Sequence, residues 1–128
     1  MSDVAALLLV ALLIAHNLGD YTPLATARIR RAKAEGGPLG LIAVHAAVHG
    51  MLVALAALIV VGPPPSVLAL AAGLELVTHF GIDAARTRLG VHMPALADMH
   101  SNPFWWALGV DQLLHGLVLV GIAFMVLA

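Results

Sequence analysis

The sequence has no cysteine and little charge, since charged residues make up only 10% of its 128 residues. The absence of cysteine excludes disulfides, iron–sulfur clusters and thiolate zinc sites, so a bound metal would have to use imidazole and carboxylate ligands. The scarcity of charge, together with 62% hydrophobic residues and a mean hydropathy of +1.02, excludes a soluble domain of this length. The composition therefore predicts an integral membrane protein.

A cleavable signal peptide is not expected, although the chain begins with an apolar stretch. Ser2-Asp3 supplies no basic region before that stretch, and His16 and Asp20 occur within it before any small-residue cleavage motif. We expect the stretch to be retained as a membrane span.

Four long apolar runs make up most of the chain. They cover residues 4–27, 39–62, 66–89 and 104–128. Each exceeds the roughly 20 residues that a membrane-spanning helix needs. Gly36-Gly37-Pro38 and Pro63-Pro64-Pro65 break the chain between runs, and Trp105 with Trp106 suits a membrane–water interface. We predict an all-α fold, a four-transmembrane-helix antiparallel bundle that forms one domain over residues 1–128.

The basic residues predict the orientation of this bundle. All six lie in or beside the first and third connections: Arg28, Arg30, Arg31, Lys33, Arg86 and Arg88. The positive-inside rule makes that side cytoplasmic, and a multi-pass protein of the bacterial inner membrane with both termini extracytoplasmic is expected. Membrane lipid is the expected partner, and surfaces rich in Ala and Gly permit a homo-oligomer or a place in a membrane complex. No aromatic residues are interleaved to indicate nucleic-acid binding.

Every predicted span carries a pair of polar residues four positions apart. The pairs are His16 with Asp20, His45 with His49, His79 with Asp83, and Asp111 with His115. Residues at this spacing share one helix face, so each span presents a single polar stripe. Counted from the basic side, the pairs fall at two depths, about 9 and 15 Å at 1.5 Å per residue, with the aspartates mostly in the outer layer.

Ionisable groups at this depth cost several kcal/mol each unless they are paired or coordinated. The three aspartates would place about three negative charges in a low dielectric, which two divalent cations would nearly cancel. All eight residues are therefore predicted metal ligands in a site within the cytoplasmic half of the bundle, for two ions of zinc, iron or manganese. A metal-free His–Asp proton relay is the main alternative, and a single such pair could equally be a hydrogen-bonded packing device.

Other polar residues near these pairs have weaker claims. His49 is as well explained as a packing or supporting histidine as a ligand. Glu75 falls one turn deeper than both layers, and a hydrogen-bonded core acid or part of an access path explains it better than a ligand. Gln112 is expected to orient a ligand or substrate. Arg86 could hold an anionic headgroup, although an interfacial arginine that only sets topology is the simpler interpretation.

These residues resemble a known family, the bacterial and phage membrane proteins grouped as DUF3307. The resembling elements, in order, are HNLGDY at 16–21, the His45 and His49 pair, THFGID at 78–83 and DQLLH at 111–115. The sequence departs from that pattern after Tyr21, where Thr22-Pro23-Leu24 stands in place of a glutamine. The resemblance implies a polytopic membrane protein and supplies no activity, while the His/Asp arrangement is also similar to that of membrane-bound metal-dependent hydrolases.

Three classes of function fit these features. The first is a metal-dependent membrane enzyme, a hydrolase of a lipid or lipid-linked substrate, with a di-iron or dimanganese oxidoreductase as alternative chemistry on the same ligands. The second is a metal-ion or proton transporter, and the third is a non-catalytic subunit of a membrane complex. The far halves of the spans are almost wholly apolar apart from Glu75, which favours the enzyme over a transport path.

Overall fold

A computed structural model describes residues 3–128 of the chain, and within that part the protein is all-helical. The helices are α1 (Asp3–Tyr21), α2 (Ala27–Glu35), α3 (Leu39–Val60), α4 (Pro65–His92) and α5 (Asn102–Leu127), with a 3₁₀ turn at Pro94–Leu96. Among the described residues, α1, α3, α4 and α5 are long and apolar enough to cross a membrane. This confirms the predicted fold class, and we treat the chain as a multi-pass membrane protein.

The four long helices form a closed bundle. Helix α3 packs against α1 and α4, and α5 packs against the same two helices from the other side. Successive long helices run antiparallel, with α2 inside the first connection and a tight proline-rich turn between α3 and α4. One end of the bundle therefore holds the end of α1, α2, the start of α3, the end of α4 and the start of α5. We call it the basic end, because all six basic residues of the chain lie there.

The first span is shorter than the predicted 4–27, because α1 ends at Tyr21. Thr22 turns its hydroxyl back to the carbonyl of Leu18 at 2.5 Å, and Pro23 has no N–H to continue the helix. The chain then bends and starts a separate helix. At the other end of the bundle, α4 begins at Pro65 and runs to His92, beyond the predicted 66–89.

Helix α2 lies across the basic end and contacts α3 and α4. Ile29 and Ala32 are buried, and Lys33 on the same face is half-buried, while the arginines of this helix face outwards. The helix ends before Gly36, whose φ of +90° is the left-handed conformation that glycine adopts without strain. This amphipathic pattern directs one face of α2 towards the interior of the bundle.

The half of the bundle away from the basic end is filled by an apolar core. Its buried members come from all four long helices: Leu8, Leu12, Ala15, Val53, Ala56, Ala57, Ala71, Leu119, Ile122, Ala123 and Val126. Small residues let the helices approach closely, and a Cβ on Gly50 would lie 2.7 Å from the carbonyl oxygen of Ala72. Packing of this kind holds transmembrane helices together, because lipid provides no hydrophobic driving force between them.

Candidate metal centre

The interior nearer the basic end is polar instead of apolar. We call this region the polar cluster, and its members are His16, Asp20, His45, His49, Glu75, His79, Asp83, Asp111 and His115. All are buried except Asp20, whose side chain is 10% exposed. The structure thus brings the four predicted i,i+4 pairs into one region.

Four of the histidines form a contiguous set of rings. The ring centroids of His49 and His79 lie 3.7 Å apart, and those of His79 and His115 lie 4.2 Å apart. His16 completes the set at 5.0 Å from His115 and 5.2 Å from His49. These are the four histidines that the sequence assigns to the inner layer.

Two aspartates and the fifth histidine lie beside these rings. Asp20 Oδ1 is 3.0 Å from His45 Nε2 and 3.4 Å from His49 Nε2. Asp83 Oδ2 is 3.5 Å from His79 Nε2 and 3.7 Å from His45 Nε2, and its Oδ1 is 3.7 Å from the imidazole of His115. The carboxylates of Asp20 and Asp83 therefore both approach His45 and each approaches a ring of the histidine set.

Three overlapping groups in this cluster have ligand atoms within 4.8 Å of one another, the arrangement a metal ion requires. The groups are His16, His49, Glu75 and His79; Asp20, His45, His49 and His79; and His79, Asp83 and His115. They include seven of the eight predicted ligands, and His79 belongs to all three. Nitrogen and oxygen donors of this kind suit zinc, iron and manganese.

Several of these donor atoms are buried without a hydrogen-bond partner. Among the described residues, the Nε2 atoms of His49, His79 and His115 make no hydrogen bond, although each lies 3.4–3.7 Å from an aspartate oxygen. A buried polar atom left in this state costs about 1–3 kcal/mol. These nitrogens could therefore serve as donors to a cation.

Glu75 lies closer to the histidines than its sequence position suggests. Its Oε1 is 3.1 Å from His79 Nδ1, and the side chain is buried. The contact agrees with a hydrogen-bonded core acid, and it also orients the ring of His79 so that Nε2 faces Asp83. The same carboxylate belongs to one of the three candidate ligand groups, so Glu75 is available both as a ligand and as an orienting residue.

Asp111 stands apart from the three ligand groups. Its Oδ2 accepts hydrogen bonds from Arg86 Nη1 at 3.0 Å and from Gln112 Nε2 at 3.1 Å, while its Oδ1 is buried without a hydrogen bond. The nearest imidazole nitrogen, Nε2 of His115, is 3.9 Å away. Gln112 also contacts His16, with its Oε1 at 3.4 Å from Nε2. Asp111 is thus a carboxylate at the edge of the cluster rather than within a ligand group.

Lys33 is a member of the site that sequence reasoning missed. Its Nζ is 2.9 Å from Asp83 Oδ2 and 3.7 Å from Asp20 Oδ1, and the side chain is 29% exposed. The sequence assigns this lysine only to the topology signal of the first connection. The signal that could have found it is the spacing of Ile29, Ala32 and Lys33, which places the lysine on the inward face of a short amphipathic helix.

Gly19 is the second residue that the sequence did not indicate. A Cβ at this position would lie 2.3 Å from Nε2 of His49, closer than any real side chain permits. The glycine therefore lets the His49 ring lie directly against α1, where it meets Asp20.

A cavity at the basic end leads from the surface to this cluster. It has a volume of about 650 Å³ and is lined by residues that include Asp20, Tyr21, Thr22, Thr26 and Arg30. The Asp20 carboxylate therefore borders a cavity at the surface of the basic end.

The fold and this interior define the class of protein: a four-span membrane protein with a buried cluster of histidines and carboxylates. The chain belongs to the family described as protein of unknown function (DUF3307), whose pattern matches residues 8–128. The match confirms the resemblance drawn from the sequence motifs. No curated protein and no solved structure matches the chain.

Proposed function

We propose that this protein is a metal-dependent membrane enzyme, a hydrolase that acts on a lipid or lipid-linked substrate. The observation that carries the proposal is the convergence of five buried histidines with carboxylates, in groups whose donor atoms lie within 4.8 Å. Such a set is costly in a membrane interior unless a cation compensates it. Bundle-core metal centres in other helical proteins are built from inward-facing carboxylates and histidines on facing helices.

The side-chain charges of the cluster support a proposed number of bound metal ions. Four carboxylates contribute negative charge: Asp20, Glu75, Asp83 and Asp111. Two cationic side chains offset part of it: Lys33 and Arg86. The balance of two negative charges fits one divalent ion of zinc, iron or manganese while Lys33 stays in place. The predicted second ion fits if Lys33 withdraws, because the balance then becomes three negative charges.

The residues divide naturally between binding and proton transfer. The candidate ligand groups supply imidazole and carboxylate donors, and a divalent ion held there would polarise a carbonyl or phosphoryl oxygen and activate water. Asp111 is outside those groups, and its Oδ1 has no hydrogen bond. In hydrolysis, the water oxygen would bond to the carbon or phosphorus as the bond from that atom to the leaving oxygen breaks, and Asp111 would carry the water's proton to the leaving oxygen.

The apolar core argues for an enzyme over a transporter. A transport path would have to continue from the polar cluster to the far end of the bundle. The described helices fill that half with buried apolar side chains such as Leu8, Leu12 and Ile122. A site open towards one end only suits a substrate that enters and leaves from the same side of the membrane.

The positive-inside rule makes that side cytoplasmic in the bacterial inner membrane, so we propose that the site lies in the cytoplasmic half with both termini outside.

Metal analysis of the purified protein tests the proposal. Wild-type protein, prepared without chelator and dialysed, is expected to retain divalent metal, and Asp83→Asn and His115→Ala are expected to lose it. Matched controls are Asp98→Asn and His92→Ala, which make the same changes at exposed positions outside the cluster. Metal-free wild-type protein that also fails to bind added zinc, iron or manganese would overturn the proposal.

Hydrolytic activity is tested separately on metal-loaded protein in lipid vesicles. Release of product from ester- or phosphoester-labelled phospholipid is expected, and Asp111→Asn should lower its rate by about 100-fold, within the usual contribution of a general base. Metal-loaded protein that hydrolyses no such bond but shows a metal-centred redox change would favour the oxidoreductase instead.

A further inference from the structure

The outer surface of the bundle carries a groove between α4 and α5. Its volume of about 520 Å³ lies within the range of roughly 300–1,000 Å³ that ligand sites occupy. Its lining is almost entirely apolar, with Ile82, Leu89, Trp106, Val110 and Leu114 among its walls. The same groove also includes two charged residues, Arg86 and Asp111.

The apolar walls of the groove face outwards from the bundle. Trp106 is 78% exposed, and Leu89, Val110 and Leu114 are exposed as well. In a membrane-spanning bundle, exposed apolar side chains contact lipid chains rather than water. A concave stretch of that surface is shaped to hold a single hydrocarbon chain.

Arg86 gives the groove a preference for an anionic ligand. The structure gives its guanidinium one hydrogen bond, from Nη1 to Asp111, and places it over the ring of Phe104 at 5.7 Å. Arginine has five N–H donors, so donors remain for another anion. The side chain is 28% exposed, and forked donors of this kind suit a phosphate.

We propose that the groove binds one chain of an anionic lipid with a phosphomonoester headgroup, with the phosphate on Arg86. Charge complementarity selects this occupant, because Arg86 is the one cationic residue among those lining the groove and has donors left beside its ion pair with Asp111. Asp111 belongs both to the groove and to the polar cluster, so the bound headgroup lies next to the candidate metal centre. If the proposed hydrolase activity is correct, anionic lipids with a phosphomonoester headgroup are its substrate class. The binding itself does not depend on that activity.

Tryptophan fluorescence tests this binding with full-length protein in vesicles. The chain has two tryptophans, and a Trp105→Phe background leaves Trp106 as the reporter in the groove. Phosphatidylcholine vesicles would contain either brominated phosphatidic acid or brominated phosphatidylcholine, whose bromines quench nearby tryptophan. We expect stronger quenching by the phosphatidic acid at equal lipid fraction.

Two variants assign that preference to the groove. Arg86→Gln should reduce the preference about tenfold, the effect of losing one charge-assisted hydrogen bond. Arg88→Gln removes the same charge from an exposed position on the same helix and should leave the preference intact. Ala107→Phe, which fills the groove, should weaken quenching by the phosphatidic acid and leave the weaker quenching by bulk phosphatidylcholine.

Three results would overturn the proposal. Equal quenching by both lipids would show an ordinary lipid-facing surface, and an unchanged preference in Arg86→Gln would place the headgroup elsewhere. Trp106 shielded from both lipids in a cross-linked dimer would assign the groove to a second copy of the chain. The measurements are repeated in chelator, where the lipid preference is expected to persist. The groove can then bind its lipid in protein that binds no metal, and protein that binds metal can lack the lipid preference. Each result contradicts only one of the two proposals.

Discussion

The two halves of the bundle have the same four helices and nearly opposite interiors. Away from the basic end, buried Leu, Ile, Val and Ala side chains pack with small residues between them. Towards the basic end, the same helices bury histidines and carboxylates, several with donor atoms that lack hydrogen bonds. The apolar half satisfies the rules of membrane-helix packing by itself, whereas we propose that a cation compensates the buried groups of the polar half. Stability and function are thus expected to respond to different residues.

The largest effect is expected at the residue shared by all three candidate ligand groups. His79→Ala should weaken metal binding by at least about 100-fold, since even residues that only support a ligand contribute 10–100-fold. Isothermal titration with zinc measures the affinity. His100→Ala, in the connection outside the bundle, is the control. Unchanged affinity in His79→Ala would remove the basis for the contrast between the halves.

A substitution that creates a cavity in the apolar half should have the opposite effect: it should lower stability and leave metal binding unchanged. Leu12→Ala removes a fully buried side chain and should lower the free energy of unfolding by about 2 kcal/mol, the low end for such changes. Leu13→Ala, at an exposed position on the same helix, should have little effect. Unfolding in detergent and metal titration are measured together. Loss of metal binding by folded Leu12→Ala protein would show that the halves are not independent.

The close approach at Gly19 allows a smaller change within the polar half. Gly19→Ala forces the ring of His49 away from its position, because the added Cβ would lie 2.3 Å from Nε2. Metal affinity should fall about tenfold, the lower end for disturbing the surroundings of a ligand. Gly73→Ala adds the same methyl where nothing lies within 4 Å. Equal affinities of the two variants would argue that His49 does not contribute to binding.

The smallest effect is expected at Lys33, where a substitution should raise metal affinity instead of lowering it. Lys33→Met removes the cation that competes for Asp83 and Asp20, so metal affinity should rise about fivefold, near the upper end for a partly exposed ion pair. Metal content should increase from about one ion per chain towards two, because three uncompensated negative charges would favour a second cation more than two do. Arg28→Met, on the exposed face of α2, is the control. Weaker binding in Lys33→Met would mean that the lysine supports the site instead.

The sequence alone predicts the features that repeat along single helices. Hydropathy predicts the four spans, the i,i+4 spacing predicts one polar stripe on each, and depth counted from the basic end groups His16, His49, His79 and His115. It missed contacts made between elements. Lys33 enters the cluster only because α2 docks across the basic end, and Asp111 lies at the edge because Arg86 on a neighbouring helix holds its carboxylate.

The break after Tyr21 shows the same limit at the scale of one helix. No charged residue interrupts the chain between Tyr21 and Ala27, but Pro23 and the hydroxyl of Thr22 end α1 earlier. Gly19 carries no signal in the sequence, because its need for a small side chain arises from the ring of His49 on another helix. Local patterns predict elements well, while the geometry of a site depends on how those elements meet.

X-ray absorption at the metal edge tests the central claim most directly, with wild-type protein and His79→Ala loaded under the same conditions. In the wild type we expect nitrogen and oxygen ligands at about 2.0–2.2 Å from the metal, the range for zinc, together with imidazole scattering. In His79→Ala that imidazole signal should diminish along with the bound metal. A wild-type spectrum without imidazole scattering, or one unchanged by His79→Ala, would contradict a metal centre in the polar half.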